Sequence, residues 1–346
     1  MLSFLRHIRQ KLLEDNRFNK YLLYVIIEVF IVIIGILIAI KVDNWNEDRS
    51  RAEETTRLFK EVSDELIQNI ENIDVILNIL IRKDTFYFKV LEKGVDYEDY
   101  KASFQLFSFP FQYDRTSLVD DDFKELVSKK NKLTGLQDSL FSELKELYGS
   151  RKTNTDIDDK TIHETQLAFR DWLMKEQPWF SSFMERELTD EMIQYALTDP
   201  FYRNQLYEMR FREDWYLQGM LWFRTKAVNL YVEIADMLNI EKDSTLIDMK
   251  DYEGLKGVYT SGNFKVKFRG KNKLVADFYI NDSLAQQWDN HPFSKSYLIS
   301  YMQGKGAHIL TKIEFGKNGE VLGLSNYGDN MYDSITGKRR MWKKIE

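Results

Sequence analysis

Hydrophobic and polar positions change rhythm three times along this chain. Residues Tyr21 to Ile40, YLLYVIIEVFIVIIGILIAI, are almost uniformly apolar, and Glu28 is the one acidic or basic side chain among them. A helix rises about 1.5 Å per residue, so this run reaches roughly 30 Å, the thickness of a bilayer's hydrocarbon core. It predicts one transmembrane helix over 21–40. From Lys41 to Lys93 there is neither Pro nor Gly, and Phe59, Val62, Leu66, Ile70, Ile73, Leu77, Leu80, Tyr87 and Leu91 recur at spacings of three, four or seven. That period predicts a long amphipathic helix running on from the span and stopping at Gly94. The uneven spacing and the helices that follow favour a bundle face over a coiled-coil seam between protomers.

The helical period continues with interruptions. Residues 95–117, with Phe104, Phe107, Phe109, Phe111 and Tyr113, read as an aromatic loop laid over the core. Asp120-Asp121-Asp122 suits a helix start, where carboxylates meet unpaired backbone N–H groups; that helix is expected to reach Tyr148 and to end at Gly149-Ser150. Residues 154–158 read as a turn leading into a helix over 160–176, which Gln177-Pro178 breaks. A short helix over 180–198 follows, then a long one from Pro200 to about Asn239. The row Tyr207, Phe211, Trp215, Trp222 and Leu230 on the long helix reads as core.

After Asp243 the period falls from 3.6 to 2. Phe264, Val266 and Phe268 alternate with polar residues, as do Leu274, Ala276, Phe278 and Ile280, with Gly262 and Gly270 at the joints. Lys317-Asn318-Gly319 between two apolar runs is a hairpin signal. The expected fold is therefore a membrane-anchored α+β chain. It comprises a tail (1–20), a transmembrane helix (21–40), an all-α bundle (41–243) and a small antiparallel sheet or partly open barrel of six or seven strands (250–346).

Composition narrows the chemistry. The net charge is -6 and hydrophobic residues make up 43 %, which suits a globular part of ordinary composition and gives no basic surface for nucleic acid. There is no Cys, which removes disulfides, thiolate catalysis and iron–sulfur clusters together. The histidines His7, His163, His291 and His308 are far apart, and none falls in a metal-ligand spacing. Asn154-x-Asp156-x-Asp158 opens like a calcium loop, but Asp159 stands where that loop needs Gly and Thr165 where it needs Glu. No metal site and no cofactor is expected. G-x-S-x-G, S-x-x-K and H-E-x-x-H are all absent, so a non-enzymatic role is expected.

The tail before the span holds Arg6, Arg9, Lys11, Arg17 and Lys20, with Leu2, Leu5, Ile8, Leu12 and Leu13 at helical spacing. It can lie as a basic amphipathic helix on an anionic leaflet. The apolar run is too long for a cleaved signal peptide, and an uncleaved signal-anchor is expected. Lys41, Arg49, Arg51, Arg57 and Lys60 follow the span, matching the tail in basic residues. The ten residues nearest the span on each side lean toward a cytoplasmic tail, with three basic residues at 11–20 (Lys11, Arg17, Lys20) against two at 41–50 (Lys41, Arg49), where Asp43, Glu47 and Asp48 also gather.

FLRHIRQKLL, then KYLLYVIIEVFIVIIGILIAIKVDNWNE, carry a resemblance. With Arg6 and Arg9, Glu28 inside the span, the run Ile34 to Ala39 and Trp45-Asn46-Glu47 just beyond it, the chain resembles a family of bacterial single-span membrane proteins of unknown function. The resemblance implies an inner-membrane protein of Gram-negative bacteria with its bulk in the periplasm. It implies no activity.

On a helical wheel Glu28, Gly35 and Ala39 share one stripe with Tyr24. Gly35-x-x-x-Ala39 lets helix backbones approach closely. An acidic side chain at mid-span costs about 2.5–3.5 kcal/mol, so it calls for a use. Three are open: a hydrogen bond to another span in a homo-oligomer or membrane complex, a tolerated acid with no partner, and proton or ion coupling in a transport system. For the whole chain the corresponding readings are a scaffolding, sensing or envelope protein, an accessory to energy-coupled transport, and a periplasmic hydrolase.

Overall fold

The computed structural model describes residues 17–112, 115, 117–129, 133, 135–270, 274–302, 307–327, 332–333, 338–339 and 341–345. The chain divides into two compact units, Met1–Leu58 and Phe59–Glu346. The tail residues Arg6, Arg9 and Lys11 lie outside the described residues, as do the side chains of Arg17, Lys20 and Tyr24.

The first unit is built on the opening part of helix α1 (Arg17–Tyr87). Its apolar side chains face outward, Phe30 and Ile31 each 63 % exposed. Among the described residues α1 alone is long and apolar enough to cross a membrane. A helix satisfies all its backbone groups internally, which is what a lipid surrounding demands. Past the apolar run, Arg51 pairs with Glu47 and Arg49 with Glu53, one turn apart and solvated, each worth about 0.3–0.5 kcal/mol.

In the second unit the remainder of α1 buries the stripe that its period predicts: Phe59, Val62, Leu66, Ile70, Ile73 and Leu77 are all fully buried. The helix ends in a π-turn, Phe88–Lys93, and Gly94 takes φ 82°, a left-handed conformation that Gly adopts without strain. Around it stand α2 (Tyr97–Ala102), α3 (Phe104–Ser108), α4 (Asp121–Lys129), α5 (Leu136–Glu146), α6 (Lys152–Glu176), α7 (Phe180–Met184), α8 (Asp190–Thr198), α9 (Pro200–Leu238) and α10 (Ser244–Ile247).

Side chains of α1 organise this bundle. Asn69 donates to the Val119 carbonyl and accepts from the Val119 N–H, both at 2.8 Å, so its amide stands in for a paired strand. Glu65 accepts from the N–H groups of Asp122 and Phe123 and so caps α4, with Asp121 and Asp122 in the first turn as the acidic run predicts. Burial raises the Glu65 carboxyl above the usual range, and these N–H groups hold it back.

Five expectations about the helices are corrected. Residues 97–111 form short helices, and their aromatic rings enter the core; Phe107 stacks on Tyr202 at 5.7 Å and meets Trp179 edge-on. The helix expected to run to Tyr148 is two helices, with Gly135 at φ 54° before the second. Gly149-Ser150 does not end α5. A π-turn, Leu147–Arg151, carries the chain straight into α6, and residues 154–158 are helical. The 180–198 segment is likewise two helices, α7 and α8.

The β part exceeds the expected six or seven strands and is closed. β1 (Gly257–Ser261), β2 (Phe264–Arg269), β3 (Val275–Ile280), β4 (Ser283–Ser294), β5 (Tyr297–Met302), β6 (His308–Phe315), β7 (Val321–Asn326) and, past the two-residue strands β8 (Tyr332–Asp333) and β9 (Lys338–Arg339), β10 (Trp342–Lys344) are the elements. Each barrel strand pairs antiparallel with its sequence neighbour, and β10 closes the ring between β7 and β1. The β6–β7 turn holds Gly319 at φ 81°, as Lys317-Asn318-Gly319 predicts. β4 contains Pro292, which sits at a register shift against β5, one of the few places where a strand tolerates a missing N–H.

Candidate functional site

Alternation along the strands sends every second side chain inward. An eight-stranded barrel is wide enough either to fill with side chains or to hold one small ligand. Here it does both, at different levels. Where β1 begins, Tyr252 and Leu255 join Tyr259, Phe268, Leu274 and Ile313 in a packed core. The Tyr252 hydroxyl anchors that end by donating to the Ser294 carbonyl at 2.7 Å and accepting from the Phe293 N–H at 3.1 Å.

Above this core lies a cavity of about 400 Å³. Phe264, Val266, Phe278, Trp288, Leu324 and Trp342 form its apolar wall. The rings of Phe264 and Phe278 stack at 5.8 Å, and Trp342 meets Phe278 edge-on at 5.9 Å. A polar collar crosses one side. Ser300 donates to the Asn290 side-chain oxygen at 2.6 Å, Ser300 and Thr311 lie 3.4 Å apart, and Thr311 donates to Asn326 at 3.2 Å. Gln286 lines the cavity half-buried.

The bundle supplies the rim. Gln218 of α9 borders the cavity and is exposed, so the cavity reaches the surface there. Tyr327, just past β7, borders it too and donates from its hydroxyl to the Leu80 carbonyl of α1 at 3.1 Å. Arg224 of α9 makes a forked pair with Asp74 of α1 and donates to the Pro292 carbonyl at the β4 irregularity. Bundle and barrel thus share buried polar ties beside the cavity.

A second hollow, of about 490 Å³, lies between Leu255, Ile313, Phe315, Val321 and Lys344. It has neither the aromatic wall nor the converging polar groups that mark ligand sites. The bundle holds a different concentration of chemistry. Lys83 of α1 pairs with Glu213 of α9, both almost fully buried, and Lys83 also donates to the Gln112 carbonyl at 3.1 Å. Arg210 pairs with Glu92 at 2.5 Å and lies 3.7 Å from Asp84. Burial is the largest influence on Glu213 and raises its carboxyl, against the pull of Lys83. A void of about 20 Å³ beside the pair has room for one water and no larger ligand. This network fixes helix register rather than presenting groups to a substrate.

The sequence-derived stripe lies elsewhere. Glu28, Gly35 and Ala39 are on α1 and exposed, and apart from the helix's own adjacent backbone no described atom stands within 4 Å of the position a Gly35 Cβ would take. Of the α9 row expected in the core, Leu230 is fully buried and Trp222 half-buried, whereas Tyr207, Phe211 and Trp215 are exposed, Trp215 at 61 %; the buried residues over that first part of α9 are Tyr202, Leu206, Met209, Tyr216 and Met220. Both rows are apolar, and over its first half α9 turns the other one inward. Among the described residues no three His, Asp or Glu come together in a way that could hold a metal ion.

Sequence reasoning foresaw part of the cavity wall. Alternation placed Phe264, Val266, Ala276 and Phe278 on one face of a sheet. It missed β4, where Gln286, Trp288 and Asn290 alternate with Gln287, Asp289 and His291, because both faces of that strand are rich in polar residues.

Residues 28–111 match a family of unknown function (DUF6090), from Glu28 in the apolar part of α1 to the end of the aromatic stretch, and none of the barrel falls within the match. No curated protein and no solved structure matches the chain. The resemblance read from Glu28, the Ile34–Ala39 run and Trp45-Asn46-Glu47 is thus to a family of unknown function.

Proposed function

We propose that this chain is a non-enzymatic, single-pass inner-membrane protein whose soluble unit is a binding module, with the barrel cavity as its ligand site. One observation carries the reading: a closed barrel leaves about 400 Å³ unfilled behind an aromatic wall with converging polar groups. A hydrolase built on paired carboxylates needs two acids about 5–9 Å apart in one cleft, and no described residue lining this cavity is Asp or Glu. Two features of the construction support a sensing role. The rim includes Tyr327, bonded to α1, and α1 runs unbroken from Arg17 to Tyr87.

The test uses the full chain in lipid nanodiscs with N-phenyl-1-naphthylamine, a neutral dye that accepts energy from tryptophan. Saturable transfer from Trp288 and Trp342, above the level seen with empty discs, is expected. Ala276 is buried and lines the cavity, so Ala276→Phe adds a ring into open space and should weaken the dye at least tenfold. Transfer equal to that from empty discs, or unaffected by Ala276→Phe, overturns the reading.

In the membrane the proposed arrangement keeps the basic tail cytoplasmic and the bulk periplasmic. The Glu28, Gly35 and Ala39 face meets a second copy or another span. Cross-linking in native membranes should then give dimers or a heteromeric product that Glu28→Gln retains, since an amide still donates a hydrogen bond, and that Glu28→Leu weakens. A lone monomer at every cross-linker concentration would sink the oligomer and complex readings together.

A further inference from the structure

We infer that the barrel cavity selects an uncharged, amphiphilic ligand of roughly sixteen non-hydrogen atoms, with an apolar body and a neutral hydrogen-bonding group, and excludes anions. The inference rests on the binding function proposed above and adds the ligand's chemical class. Size follows from volume: a cavity of ~150 Å³ holds benzene's six carbons, so about 400 Å³ holds roughly 2.7 times as many atoms.

Charge follows from the wall. No Asp, Glu, Lys or Arg is among the described residues that line the cavity. The basic residues of β2 stand on the outer register, where Lys265 pairs with Asp282 and Arg269 with Asp277, so they cannot serve as counter-ions inside. The lining histidine, His308, alternates with inward-facing Ile309 and stacks on Tyr301, placing its ring on the outer register at the rim. A carboxylate, sulfonate or phosphate drawn into this space would leave water without a partner charge, which is strongly unfavourable.

Polarity of the head group follows from the collar. Asn290, Ser300, Thr311 and Asn326 already hand hydrogen bonds to one another across three neighbouring strands and β7, so the collar is ordered before any ligand arrives. Gln286 lines the same space and makes no side-chain hydrogen bond to another described residue. An amide with a donor and an acceptor to offer matches a neutral hydroxyl, carbonyl or amide on the ligand. It does nothing comparable for a full charge.

N-phenyl-1-naphthylamine and 8-anilino-1-naphthalenesulfonate share one aromatic skeleton and differ by a single anionic group. Both are titrated against the full chain in nanodiscs of neutral lipid, with energy transfer from tryptophan as the readout. The inference expects the neutral dye to bind at least tenfold more tightly than the sulfonate. Gln286→Lys supplies the missing counter-charge and should narrow that ratio to threefold or less. Lys265→Gln, on the outer register and away from the cavity, should leave both affinities within a fewfold of wild type, and an unchanged circular dichroism spectrum of Gln286→Lys reports that the barrel is folded. Equal affinity for the two dyes, or a preference for the sulfonate, overturns the ligand class while the binding function stands. No saturable binding of either dye overturns the binding function and this inference with it.

Discussion

Lys83→Met is expected to lower the unfolding free energy of the soluble unit by about 3–5 kcal/mol, the loss that follows when one member of a buried ion pair is removed. Glu213 would remain in the bundle with its partner charge gone, its carboxyl already pushed up by burial and facing the Tyr87 hydroxyl. At roughly 2–4 °C per kcal/mol the melting temperature should fall by about 6–20 °C. The double variant Lys83→Met with Glu213→Leu separates two causes. If the loss comes from an uncompensated charge, exchanging both members for apolar residues of similar volume restores most of the stability. If it comes from packing around Lys83, the double variant stays as low as the single one. Circular dichroism melts of the full chain in detergent distinguish these, and a single-variant loss below about 1 kcal/mol would count against the pair having any structural weight.

The same pair shows what the sequence could and could not disclose. Lys83 and Asp84 lie between Leu80 and Tyr87, so they interrupt the very stripe that predicts the buried face of α1. Arg210, Glu213 and Arg224 interrupt the buried row of α9 in the same way. Charges at core positions signal partners, yet nothing local says which partners, because Lys83 and Glu213 are 130 residues apart. The long helices α1 and α9, the exposed apolar opening of α1 and the hairpin at Gly319 were legible because each depends on a period or a turn residue within a few positions. The exposure of Tyr207, Phe211 and Trp215 was not legible: α9 is apolar on two rows, and only its neighbours decide which one is buried. The cavity was half legible. Alternation gave the β2 and β3 walls, whereas the polar collar arises only when β4, β5, β6 and β7 come into register.

Closure of the barrel is the other feature that local pattern does not reveal, and Gly323→Ala should expose it. β10 is three residues long and holds the ring shut through two paired positions on each side, Tyr259 and Thr260 of β1 and Gly323 and Leu324 of β7. A Cβ on residue 323 would stand 2.5 Å from the Trp342 carbonyl oxygen and 3.2 Å from the Met341 side chain. A backbone oxygen held in a ladder cannot step aside as a side chain can, so β10 must move, and Trp342 moves with it out of the cavity wall. Overpacking of this kind costs about 1–3 kcal/mol, or roughly 2–12 °C in melting temperature. The dye should also bind at least tenfold more weakly, because one wall of the cavity is displaced. Gly316→Ala is the matched control. Its Cβ would fall even closer to a neighbour, 2.1 Å, but that neighbour is the tip of the Glu320 side chain, which can rotate into solvent. It should cost well under 1 kcal/mol and leave dye binding unchanged. If the two alanine variants are equally mild, β10 is not the clasp, and the barrel tolerates a gap between β7 and β1. If Gly323→Ala loses stability and keeps the dye, Trp342 is no part of the binding wall, and the cavity depends on the other strands that line it.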